Sequence, residues 1–223
     1  MAITKTDLYA NIVTVSGGSA TVSVTVPSGT EMLVVRTVTA FSAPYGITYN
    51  GTALTSRVSE SDSNSRTSSI WDLASPTVGT HDVVISCGDN TVPLIVTALQ
   101  GIDTGTPRGT PQSHAGYASS RTITLTTTAG DLCLDIFSSG ASVTADGSQT
   151  TQWSGAGVGS DFAGASSKIA SGTSTTMLWN GGAFSVLVGI PYVMGAGSSS
   201  SVRSLVNNAP GLTGFTRNRL IGL

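Results

Sequence analysis

The stretch Thr21–Val35 reads TVSVTVPSGTEMLVV, and its reading decides the fold. Apolar and hydroxyl residues alternate from Thr21 to Val26, the period of a half-buried strand. Pro27-Ser28-Gly29 then breaks the pattern, and a denser apolar run follows. The same design returns as Thr122–Ile136, TITLTTTAGDLCLDI. Thr21 with Thr122, Thr25 with Thr126, Gly29 with Gly130 and Leu33 with Leu134 all match at an offset of 101. A strand, a glycine turn and a second strand are used twice.

Working outward, each copy is followed by short strand-like runs. ATVSVTV, EMLVVRTVTAF, GITYN, TALTSRVS, TSSIWDL, HDVVIS and PLIVTALQGI lie between turn signals in the first half. Asn50-Gly51 supports positive φ at both central positions of a type I′ hairpin turn. In the second half Asp146-Gly147 stands in its place, Gly172-Thr173 stands for Gly79-Thr80, and FSVLVGIPYV closes as LIVTALQGID did. No window keeps a helical apolar period with caps at both ends. The expectation is an all-β chain of two tandem antiparallel β-sandwich repeats, jelly-roll or immunoglobulin-like. Its expected parts are a leader over residues 1–19, a first repeat over 20–102, a connector over 103–116, a second repeat over 117–193 and an extended arm over 194–223. Alternation places Val22, Val24, Val26, Leu33, Val35, Ile47, Tyr49, Trp71, Val83, Ile85 and Val96 in the first core. The second takes Leu125, Leu132, Leu134, Ile136, Met177, Trp179, Val186 and Val188.

Composition narrows the function. Only 10% of the 223 residues are charged, against about 25% in an average domain. The net charge of −2 offers no basic field for nucleic acid. No apolar run approaches the length of a membrane-spanning helix. MAITKTDLYANIVTV has no apolar signal core, so the chain is expected to be made in a cytoplasm and not exported by the general route. Cys87 and Cys133 occupy non-equivalent positions and fit two free thiols better than a bridge.

Candidate chemistry is sparse. His81-Asp82 is a pair, but strand neighbours point to opposite faces, and His114 lies in the connector. No G-x-S-x-G elbow is present. Glu60, Asp62 and Asn64 alternate as oxygen ligands for Ca²⁺ would, without the glycine and distal glutamate of an EF-hand loop. Trp71 and Trp179 read as core, whereas Trp153, in TTQWSGAGVG, reads as an exposed ring and a candidate glycan contact. The tail LVNNAPGLTGFTRNRLIGL carries spaced apolar residues and basic charge without strand or helix period. Arg203, Leu205, Leu212, Phe215, Arg217, Arg219, Leu220 and Ile221 are the candidate partner-binding residues of this arm.

Several strings carry a resemblance: the Y-N-G-x-x-L turn at Tyr49–Leu54, the aromatic strand at Trp71, the P-x-x-G-T-H run at Pro76–His81 and the closing G-I-D at Gly101–Asp103. Over about residues 20–193 the chain resembles a tandem β-sandwich module of tailed-bacteriophage virion proteins and of some bacterial surface proteins. The resemblance implies a non-enzymatic capsid-decoration or tail structural protein, located in the virion, oligomeric, partnered by other virion proteins and without cofactors. A carbohydrate-binding module is the rival expectation.

Overall fold

The computed structural model describes residues 2–40, 44–88, 91–158, 161–182 and 184–196. Nine strands make up the first half: β1 (Thr4–Thr14), β2 (Ser19–Val26), β3 (Met32–Ala40), β4 (Gly46–Tyr49), β5 (Thr52–Ala53), β6 (Thr55–Ser61), β7 (Arg66–Ala74), β8 (Gly79–Ser86) and β9 (Thr91–Gln100). Eight make up the second: β10 (Gln112–Tyr117), β11 (Ser120–Thr126), β12 (Leu132–Ser139), β13 (Thr144–Ala145), β14 (Thr150–Ala156), β15 (Phe162–Ile169), β16 (Ser174–Asn180) and β17 (Phe184–Tyr192). The all-β expectation holds, and no helix occurs among the described residues.

The strands form four antiparallel sheets. In the first half these are β1-β9-β3-β7-β6 and β2-β8-β4-β5. Without β6 this is the order of an eight-stranded jelly roll, two interlocked Greek keys. In the second half they are β10-β17-β12-β15-β14 and β11-β16-β13, the same order without a counterpart of β5. Two expected boundaries are therefore corrected. The segment expected to be a leader contains β1, paired with β9 from Thr4↔Gln100 to Thr14↔Thr91. The expected connector contains β10, which holds the equivalent place beside β17.

The layers follow from burial. Each five-stranded sheet packs on its own smaller sheet and, through its other face, on the five-stranded sheet of the other half. Met32, Val34, Ile70, Ile95 and Leu99 meet Leu132, Leu134, Ile136, Val186 and Val188 in the middle layer. Leu33, Val35, Ile47, Val83, Ile85 and Val96 fill the first sandwich, and Leu125, Cys133, Phe137, Met177, Trp179 and Leu187 fill the second. Sheets covered on both faces read as continuous apolar runs, because either face must leave water. Every residue of β3 and β12 is accordingly buried, whereas β11 alternates. Each fully buried aliphatic side chain contributes about 1.5–3 kcal/mol relative to exposure.

Burial on both faces also explains an error of register. Gly29 and Gly130 match at offset 101, and both have positive φ, 81° and 97°. After that turn the first half has one residue more. Glu31 accepts the Ile102 N–H as Asp131 accepts the Met194 N–H, an offset of 100. Sliding a strand by one residue turns every side chain to the other face. Leu33 therefore faces its own sandwich, and its true counterpart is Cys133. Leu132, Leu134, Ile136, Val186 and Val188, expected in the second sandwich, instead face the first across the middle layer.

Polar groups tie the halves together at both ends of the middle layer. Near the start of β7, Arg66 pairs with Asp161 and Ser68 donates to Ser138. Near its end, the buried Asp72 carboxylate accepts from Arg57, Arg108 and the Tyr192 hydroxyl. Between them, buried Arg36 donates to the carbonyls of Asp135 and Ser166, 3.0 Å each, and to Gln152 Oε1 and Thr97 Oγ1. Burial pushes the Arg36 guanidinium below its usual range, against the attraction of Asp135 and Asp7. The edge strands cross over reciprocally, β6 against β10 and β14 against β1.

Candidate functional site

The outer sheet of the first sandwich carries a concave feature. β8 pairs with β2 along its whole length, but with β4 only from Ser86 back to Val83. The chain then reverses at Asn50-Gly51, with φ of 47° and 75°. This is the two-residue type I′ turn expected from the sequence. The Asn50 N–H donates to the Asp82 carbonyl, 3.0 Å, and so fixes the turn against β8. Beyond that bond β8 has no paired strand on this side among the described residues. A shallow depression of about 410 Å³ results, bordered by Thr48, Asn50, Thr80, His81, Asp82 and Val84.

His81, on its border, is backed by an anchored ring. The fully buried Tyr49 donates its hydroxyl to Thr77 O at 2.8 Å. His81 stands edge-on to the Tyr49 ring, centroids 5.7 Å apart and planes at 86°. His81 and Asp82 were expected to face opposite ways. Both border the depression, because it lies at the strand's free margin, which side chains of either face can reach. No serine contributes to the lining, which supplies hydroxyls only from Thr48 and Thr80. Asn50 was legible in the sequence as a turn residue but not as a side chain at a site.

The other candidates are engaged elsewhere. His114 belongs to the second half, where its Nδ1–H donates to Thr122 O and its Nε2 accepts from Arg121. Asp62 is buried and caps its own turn, accepting from the N–H groups of Asn64 and Arg66 and from the Arg66 side chain. Glu60 accepts from Ser113 across the interface between the halves. The alternating oxygens of that loop are therefore not gathered on one point, and no group of three potential metal ligands occurs among the described residues. Trp153 does not stand on an open loop. It lies on edge strand β14, half-buried against the middle layer, after a bulge between Thr151 and Trp153. Trp71 is half-buried on the first core, and Trp179 is wholly buried in the second.

Both described cysteines are buried and unbridged. Burial pushes the Cys133 thiol up to about 12. The candidate arm residues Arg203, Leu205, Leu212, Phe215, Arg217, Arg219, Leu220 and Ile221 lie outside the described residues. The arm's expected first residues belong to the body: Met194 bridges Ile102, and the Gly195 N–H donates to Gly101 O.

The chain matches no protein-family model and no curated protein sequence.

Proposed function

We propose that this chain is a non-enzymatic structural protein of a bacteriophage particle, a capsid-decoration or other head or tail component that assembles through the residues after Ala196. The observation that carries this reading is the middle layer. Two jelly rolls joined through sheets buried on both faces make one thick block, with its buried charges held in internal hydrogen bonds and ion pairs. Such a block suits a load-bearing role, and jelly rolls recur in viral capsid proteins. That last support is an analogy of fold, which by itself assigns no function. The basic, apolar segment Arg203–Leu223 adds a means of attachment, since its arginines and large apolar residues offer both charge and hydrophobic contact to a partner surface.

The test is incorporation. Particles assembled with the full chain should contain it in fixed stoichiometry by mass spectrometry. A version ending at Ala196 should fold, with an unchanged melting temperature, and be missing from purified particles. Normal incorporation of the shortened version would overturn attachment through the tail. Absence of the full chain from particles would overturn the virion role.

A further inference from the structure

A polar dip on an outer sheet is ordinary unless its groups are idle, and here three are. The chain has twelve Asp and Glu residues. Of these, Asp89 lies outside the described residues, and ten others hold a hydrogen bond or ion pair within the fold. Asp7, Glu31, Glu60, Asp62 and Asp72 do so in the first half. Asp103, Asp131, Asp135, Asp146 and Asp161 do so in the rest. Among the described residues, Asp82 is the carboxylate without an intramolecular partner. It is exposed, and it borders the depression together with the Asn50 amide and the His81 imidazole, neither of which has a side-chain hydrogen bond. In a chain that engages its carboxylates this thoroughly, an idle one beside two idle polar groups marks a binding surface.

We infer that this depression binds a saccharide unit, with Asn50, His81 and Asp82 as its contacts. The donor and acceptor inventory selects the ligand. Asp82 only accepts, Asn50 both donates and accepts, and neutral His81 does one at each nitrogen. A vicinal pair of sugar hydroxyls can donate and accept at once and so answers all three. An ammonium ion only donates and would leave the Asn50 amide N–H groups and the imidazole N–H without an acceptor, and a phosphate would meet the Asp82 charge. The Val84 side chain gives a sugar's C–H face a small apolar surface. The volume falls in the range of about 300–1,000 Å³ common for small-molecule sites. The open form admits the end of an exposed glycan rather than an enclosed metabolite. Anchoring of Tyr49 and of the Asn50 N–H holds the lining in place before the ligand arrives, which lowers the ordering cost of binding.

The second sandwich provides an internal contrast. Its strand β16 places Thr175 where β8 has His81 and Thr176 where β8 has Asp82, by the shared pairing of Thr25↔Thr80 and Thr126↔Ser174. Thr175 is buried on Thr127, and the Thr176 carbonyl receives Lys168. Asp146 was expected at the place of Asn50, but its N–H donates to Leu178 O, two residues along β16 from the counterpart of Asp82. This hairpin therefore turns two residues earlier, and the Asp146 carboxylate is held by Ser148. The inferred site belongs to the first sandwich alone.

Saturation-transfer NMR on the full chain tests this, with free glucose, galactose, mannose and N-acetylglucosamine at millimolar concentration. At least one of them should show transfer, and Asp82→Asn should weaken its binding at least about tenfold, the scale of losing a charge-assisted hydrogen bond. The melting temperature of Asp82→Asn should not change, since Asp82 has no internal partner. His81→Ala should weaken binding too, and Trp153→Ala should not. Absence of transfer from all four sugars would overturn the inference. So would full binding by Asp82→Asn, loss through Trp153→Ala alone, or displacement of the sugar by free lysine. The particle role stands or falls separately, through incorporation.

Discussion

In the first sandwich Arg57, on the bulge of β6, ion-pairs with Asp72 of the neighbouring strand. In the second, Gln152, on the matching bulge of β14, donates to Ser167. Strand order and bulge are kept while the chemistry changes from charged to neutral. The interiors differ in the same way. The second sandwich stacks Phe137 on Trp179, 5.6 Å between centroids, and lays Gly164 against the indole. The first has Ser69 at the place of Gly164, and its hydroxyl accepts from Trp71. The backbone plan therefore specifies which positions are buried, not which residues fill them. Each half has a separate solution that the other cannot lend it.

Exchanging small features between the halves measures this. The largest effect is expected from Gly164→Ala. A Cβ there would lie 2.3 Å from the Trp179 ring, which cannot retreat because Asp135 holds its Nε1 and Phe137 covers its face. Overpacking of this kind should cost about 3 kcal/mol in denaturant unfolding, whereas Ser69→Ala should cost about 1 kcal/mol, one hydrogen bond. Equal costs would show that the interiors are not packed differently. Next comes Asp72→Ala, which strands Arg57 and Arg108. Loss of about 2–3 kcal/mol is expected, less than the about 3–5 for a fully buried pair, since both arginines are partly exposed. Ser167→Ala, at the neutral equivalent, should cost about 1 kcal/mol.

Smaller still is the reactivity of Cys133. Its thiol, raised to about 12 by burial, should resist alkylation at pH 8 and react at once in denaturant. Rapid labelling of the folded chain would mean that the second interior opens. The smallest effect concerns Asp146, whose carboxyl is held below its ordinary range by Ser148. A lowered folded value favours the ionised form in the native state. Its contribution is therefore complete above the ordinary value of about 3.9 and is lost as pH falls through the lowered one. Asp146→Asn should flatten that acid limb slightly, and Asn50→Ala, in the hairpin after β4, should leave it unchanged.

The sequence was informative where one face meets water. Alternation in Thr21–Val26 and the Asn50-Gly51 turn were legible because only one strand face and one turn type fit them. β3, β9, β12 and β17 were legible as strands but not in their facing, since a run that is apolar on both sides carries no register. The extra residue after Gly29 passed unnoticed for that reason. β1 was missed because TKTDLYANIVT mixes polar and apolar residues without a period, as an edge strand bulged between Asp7 and Tyr9 does. The depression was half legible: His81 and Asp82 stood out as chemistry, but their common margin depends on where β4 stops pairing.

The central claim is that the two sandwiches form one unit through their shared middle layer. Native-state amide hydrogen exchange on the full chain tests it most directly, because the last amides to exchange report the most stable cooperative unit. The account predicts that amides of β3 and β9 exchange last together with those of β12 and β17, at one common rate, and that Asp72→Ala speeds all four strands alike. Two separate classes, one for each half, with only β3 and β9 responding to Asp72→Ala, would contradict it.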